Sequence, residues 1–187
     1  MRYESIRTPK FTLCFPALFT PRAAQAGQEP KYSCVAVFPK GTDISELVAL
    51  AKKVAQDAYP KGVPQKFDYP FRDGNRDADP TWGDIYKDAI FVRFSTKIKP
   101  AVCDASRTLI NDPDKVYGGQ VAIAAVHAYA YDVSGNRGVA FGLDAVQIVA
   151  DGERLGRTPE KTIQIFDQLE EPAADADAND PFKGLGL

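Results

Sequence analysis

Histidine occurs once in this chain of 187 residues, at position 127. Catalytic triads and most zinc sites need imidazole as base or ligand, so this scarcity removes most such chemistries. Cysteine is also sparse: Cys14, Cys34 and Cys103 are odd in number and far apart. No pair has the spacing of a zinc knuckle, and a disulfide framework does not suit a reducing cytoplasm, so each thiol is expected to pack as a small hydrophobe. No apolar run approaches the ~20 residues of a membrane helix. The opening MRYESIRTPKF lacks the apolar stretch of a secretory signal. Neither GxGxxG nor a phosphate-binding loop is present; the glycines at 118, 119, 135, 138 and 142 read as turns and strand bends. These absences point to an intracellular protein that binds rather than catalyses, with no catalytic residue, metal ligand or cofactor expected.

Hydrophobic residues make up 44% of the chain, enough for one domain with a core. The net charge of −2 is unevenly spread. Residues 167–187 hold six carboxylates against Lys183 alone, a net −5, whereas 1–166 hold 22 basic and 19 acidic residues, a net +3. The reading is a mildly basic domain over 1–166 and an acidic tail over 167–187. The tail is Ala/Asp-rich without periodicity and is expected to be disordered, because it cannot bury enough apolar surface to offset its chain entropy.

Within the domain, KFTLCFPALFTP (10–21) reads as a first strand interrupted at Pro16, and PKYSCVAVFPK (30–40) as a second. Thr42-Asp43 with Glu46 forms a capping signal for a helix whose stripe is Ile44, Leu47, Val48, Ala51, Val54, Ala55 and Ala58. Four prolines and a charged run make 60–84 a long loop. DAIFVRFSTKIKP (88–100) is the third strand. QVAIAAVHAYAYDV (120–133) and RGVAFGLDAVQIV (137–149) form a hairpin about Ser134-Gly135-Asn136. About five strands and one inserted helix predict a mainly β protein, an OB-type Greek-key barrel.

The hairpin carries the most chemistry. Ala124, Val126, Ala128 and Ala130 suit a tight barrel interior, leaving His127, Tyr129 and Tyr131 on the opposite face. Rings two residues apart on one strand face make a platform for unpaired bases, each stack worth about 1–3 kcal/mol. Lys31, Tyr32, Phe91, Arg93, Tyr117 and Arg137 could extend it, and Arg72 and Trp82 could reach DNA from the long loop. The plain alternative is that tyrosines are simply good strand formers. Pattern alone supports a β-rich binding domain and no more.

The order of short motifs resembles a phage family first described as a domain of unknown function and later assigned to single-stranded DNA binding. The matching residues are Glu29-Pro30-Lys31-Tyr32-Ser33, Arg72-Asp73-Gly74, Lys99-Pro100 with Val102 and Asp104, and Val116-Tyr117-Gly118-Gly119. They continue through Tyr129-Ala130-Tyr131, Gly135-Asn136-Arg137-Gly138, Gly142-Leu143, Val146-Gln147 and Asp151-Gly152-Glu153 with Leu155. The resemblance spans roughly 8–157 and implies an OB fold, no cofactor, and coating of single-stranded DNA in phage replication or recombination. The setting it implies is the cytoplasm of the infected bacterium, with the protein a monomer or weak dimer. The tail is similar to the acidic ends of such proteins, which close on a Pro-Phe tip that recruits replication partners. Asp180-Pro181-Phe182 matches, but five further residues follow.

Two other functions fit the sequence. The aromatic face would serve a phage assembly protein as a protein–protein interface. Asp73, Asp77 and Asp79 would hold Mg²⁺ in a nuclease.

Overall fold

The computed structural model describes residues 4–156 and 162–166. The tail expected over 167–187 lies outside the described residues. The chain divides into two units, 1–156 and 157–187. The second is described only at 162–166, a helical turn with Ile163, Ile165 and Phe166 exposed.

In the first unit the strands are β1 (Ile6–Arg7), β2 (Phe11–Arg22), β3 (Lys31–Phe38), β4 (Phe67–Asp68) and β5 (Phe71–Asp73), then β6 (Ile90–Thr96), β7 (Ala101–Cys103), β8 (Val121–Val133) and β9 (Asn136–Ala150). Five of them close a ring in the order β8-β2-β3-β6-β9-β8. Every joint is antiparallel except β6–β9, where Phe94 faces Phe141 and Ser95 faces Gly142. That order, with one parallel joint, is the five-stranded OB-type Greek-key barrel expected from the sequence. The other four strands are short additions: β1 pairs β8, β4 and β7 pair β9, and β5 pairs β6.

The core follows from alternation along these strands. Ala122, Ala124, Val126 and Ala128 point inward from β8, small enough to leave room for Phe11, Phe38, Phe94 and Phe141. Those rings meet edge-to-face, Phe11 at 5.7 Å from Phe38 and 6.1 Å from Phe94, and Phe94 at 5.9 Å from Phe141. Ala130, expected inward too, is exposed along with Asp132 and Val133, because β8 outruns the core there. Cys14 and Cys34 are buried as expected, whereas Cys103 is half-buried. Burial pushes their thiols up, Cys14 to about 11 and Cys34 to about 12.

The turn between β8 and β9 is two residues long, Ser134 and Gly135, both at positive φ (53° and 82°). This is the turn geometry whose twist matches paired strands. Pro16 interrupts β2 as its position implies: the register shifts between Cys14 and Ala17, and Phe15 sits at φ 45°. Helix α1 (Ser45–Ala58) buries Leu47, Ala51, Val54 and Ala55 against the barrel. The N-cap position is Ile44 and not Asp43 as expected, but the Asp43 carboxylate, one residue earlier, accepts the Ser45 N–H at 2.9 Å.

The expected long loop is more structured than its prolines suggest. It carries β4, β5, the short helix α2 (Gly74–Asp77) and two 3-10 turns over 80–82 and 84–86. The three aspartates considered for Mg²⁺ are occupied there. Asp73 accepts from the Asn75 N–H at 2.9 Å, Asp77 from the Asp73 N–H and Arg76, and Asp79 from Thr81. Such caps hold backbone turns in shape. Among the described residues, no group of three acidic, histidine or cysteine side chains is placed to hold a metal ion. No helix among them is long and apolar enough to cross a membrane.

Candidate nucleic-acid interface

Side chains on β8 alternate strictly, so packing the alanines inward forces His127, Tyr129 and Tyr131 onto the outer surface. Their cross-strand partners on β9 are Gly142, Ala140 and Gly138. A Cβ on Gly138 would come within 2.6 Å of the Tyr131 hydroxyl, and one on Gly142 would collide with the His127 ring. The absent side chains let the rings lie across the β9 backbone, over a floor of small residues.

Each ring is held. The Tyr131 hydroxyl donates to Asp68 at 3.1 Å, and Asp68 accepts two bonds from Arg72 at 2.8 and 2.9 Å. His127 Nδ1 lies 2.9 Å from Asp144, which also accepts from Ser5 Oγ at 2.5 Å. Burial, reinforced at Tyr131 by Asp68, raises both tyrosine phenols above their ordinary range, so both rings are neutral at working pH.

Beside the rings lies an open concavity of about 1030 Å³, lined among others by Lys31, Lys66, Phe67, Tyr129, Tyr131 and Arg137. A second, of about 660 Å³, shares Lys31, Ser95 and Val133 with it and adds Arg22, Arg93 and Lys97. Together they form one groove over the outer face of β3 and β6, between the loop following β2 and the β8–β9 turn. Six cations line it, against Asp68 and Glu29. Two are tied to carboxylates: Arg137 to Asp132 at 2.8 Å and Lys97 to Glu29 at 2.5 Å. Arg22, Lys31, Lys66 and Arg93 form no ion pair among the described residues.

Of the residues singled out in the sequence, Lys31, Arg93, Tyr129, Tyr131 and Arg137 come together in this groove. Five do not. Tyr32 shares the core-facing side of β3 with Cys34 and Ala36, so it points away from Lys31. Phe91 is only 8% exposed, covered by Trp82 at 6.0 Å and Tyr86 at 5.2 Å. Trp82 belongs to that covering cluster and not to the groove. Tyr117 lies beyond the opposite end of β8, donating to Asp151 at 3.0 Å with the Arg154 guanidinium 4.0 Å over its ring. Arg72 spends its charge on Asp68 and steadies Tyr131 through it.

Lys66, Phe67, Ser95 and Lys97 were not picked out in the sequence. The Lys66-Phe67 pairing of cation and ring was a visible signal, but only the β4–β9 register, Phe67 opposite Arg137, brings it to the groove.

A closed five-stranded barrel with a basic, ring-bearing groove on its second and third strands and flanking loops belongs to the OB class, whose oligonucleotide sites occupy that face. Comparison with known proteins places it more closely. The family model described as "Enterobacter phage Enc34, ssDNA-binding protein" matches residues 4–178, and the chain belongs to that family. Among solved structures it is similar to the single-stranded DNA-binding protein of bacteriophage Enc34 in complex with ssDNA. The two share 19% identity and a TM-score of 0.68, with 82% of this chain and 90% of that one covered. Another structure of the Enc34 protein gives 18% identity and a TM-score of 0.66 over 88% of this chain and 90% of that one. The single-stranded DNA-binding protein gp2.5 encoded by bacteriophage T7 gives 14% and 0.59 over 95% of this chain and all of the other. No curated protein sequence matches the chain.

Proposed function

We propose that this protein coats single-stranded DNA without sequence preference during phage DNA replication or recombination, acting by binding and not by catalysis, in the cytoplasm of the infected host. The observation that carries the reading is the groove itself. Two neutral rings, Tyr129 and Tyr131, face a line of cations with no carboxylate paired to Arg22, Lys31, Lys66 or Arg93 among the described residues. Unpaired bases stack on the rings whatever their identity, and phosphates meet the cations. The Enc34 protein, similar in fold, is described in complex with ssDNA, which supports the same ligand here.

Residues 167–187 enter the proposal through their charge. A segment of net −5 tethered to a basic domain raises the local concentration of competing carboxylates at the groove and offers its Asp180-Pro181-Phe182 to a replication partner.

Fluorescence anisotropy with labelled oligonucleotides at several salt concentrations tests the reading. Single strands should bind far more tightly than duplex, with affinity falling as salt rises. Equal affinity for both, or none for either, refutes it. Deleting 167–187 should tighten DNA binding.

A further inference from the structure

The outer face of β3 and β6 does not end at Arg93. Val35, opposite Arg93 in register, packs on a small cluster of Cys14, Val37, Tyr86, Ala89 and Phe91, one pleat repeat or about 7 Å further along the strands. At the rim of that cluster Phe15 and Trp82 meet edge-on at 5.4 Å, and Trp82 lies 5.3 Å from Tyr86. Although in contact, Phe15 is 55% and Trp82 37% exposed, so ring surface stays open to solvent.

Phe15 holds φ at 45°, a backbone region that bulky residues avoid. The Pro16 bulge keeps it there and turns an aromatic ring outward that β2 would otherwise place elsewhere. Phe15, Trp82, Tyr86, Gly118 and Leu155 enclose a largely apolar cleft of about 280 Å³. That is just below the ~300–1,000 Å³ of sites for drug-sized ligands, a size for one flat ring system. The Tyr86 hydroxyl is buried beside the Cys14 thiol, with no hydrogen-bond partner of proper geometry among the described residues. Burial keeps that phenol protonated, so this wall of the cleft is uncharged.

We propose that this cleft takes one unpaired base of the strand that occupies the groove, stacked on Trp82 and Phe15. The proposal rests on the reading of the protein as a single-strand binder. It adds a second stacking site, beyond Arg93, to the pair at Tyr129 and Tyr131. The strand would thus run from the hairpin across β6 and β3 to the bulge of β2.

Trp82 is the chain's single tryptophan, so its emission reports on this cleft alone. Full-length protein is titrated with unlabelled oligothymidine of about 20 nucleotides, longer than the ~4–16 that one OB fold covers. Emission should fall with the midpoint seen by anisotropy. Phe15→Ala, which alters an exposed side chain, should weaken binding roughly five- to a hundred-fold. Irradiating a 5-iodouracil oligonucleotide on the protein should cross-link Phe15 or Trp82, the two exposed rings. Saturating anisotropy with unchanged Trp82 emission, or cross-links confined to Tyr129 and Tyr131, overturns the cleft while leaving DNA binding intact. No anisotropy response at all overturns both readings, so the two failures are distinct.

Discussion

The Tyr131 hydroxyl donates to Asp68, a residue 63 positions earlier in the chain, at 3.1 Å. The bond joins the hairpin to the segment wrapped outside the barrel and sets the tilt of the ring beside the groove. Removing the ring and removing the bond have different costs. Tyr131→Ala should lower single-strand affinity by the ~1–3 kcal/mol of one stack. Tyr131→Phe keeps the stack and should stay within about twofold of the parent, because an exposed hydrogen bond contributes little. Anisotropy titrations of both variants decide whether the ring or its hydroxyl matters.

Gly138 faces Tyr131 across the hairpin, and a Cβ there would also meet the Asp68 backbone carbonyl. Backbone gives way less easily than a side chain tip. Gly138→Ala should therefore cost roughly 1–3 kcal/mol of stability, as overpacking does, and weaken DNA binding by displacing the ring. Urea denaturation and anisotropy on the same sample check both. Gly135→Ala, with open space at its Cβ, places strain on the turn at φ 82° but leaves the ring undisturbed.

Salt dependence separates contacting cations from structural ones. Lys31→Ala and Arg93→Ala should each weaken binding and reduce the log–log salt slope by about 0.7, the share of one phosphate on a single strand. Arg72→Ala should leave the slope nearly unchanged, since Asp68 already balances that guanidinium. A slope reduced equally by all three variants would contradict the assignment.

The buried thiols predict an alkaline limit. Burial raises Cys14 to about 11 and Cys34 to about 12, from an ordinary 9.0. The unfolded chain therefore loses these protons first as pH rises. Their contribution to stability is complete below pH 9 and declines above it, through about 11 for Cys14 and 12 for Cys34. Urea midpoints at pH 8 and 10 should differ, and Cys34→Ala should flatten that difference while lowering stability at both.

Much of the fold was legible because strand alternation is local. The alanines of β8 and the Ser134-Gly135-Asn136 run announced the hairpin, though Asn136 belongs to β9 and not to the turn, and Pro16 announced the break in β2. The groove was half legible for the same reason: once the alanines go inward, Tyr129 and Tyr131 have one direction left. What stayed hidden depends on pairing between distant segments. Phe91 alternates as an outer residue, and nothing local says that Trp82 and Tyr86 will cover it. Arg72 looks like a free cation until β4 and β5 bring Asp68 against it. Asp73, Asp77 and Asp79 resemble a ligand cluster in sequence, but each closes a turn of its own.

The outer wrap has a consequence for how densely such a protein can be arrayed. Because the segment 67–89 covers part of the barrel's outer wall and puts Trp82 at the far end of the proposed path, the stretch of strand one copy can occupy ends at that cover. Stoichiometry, counted as nucleotides per bound molecule, is then set by an insertion and not by the barrel. Trimming or extending the insertion away from Trp82 would change packing along the DNA while the stacking rings stayed in place.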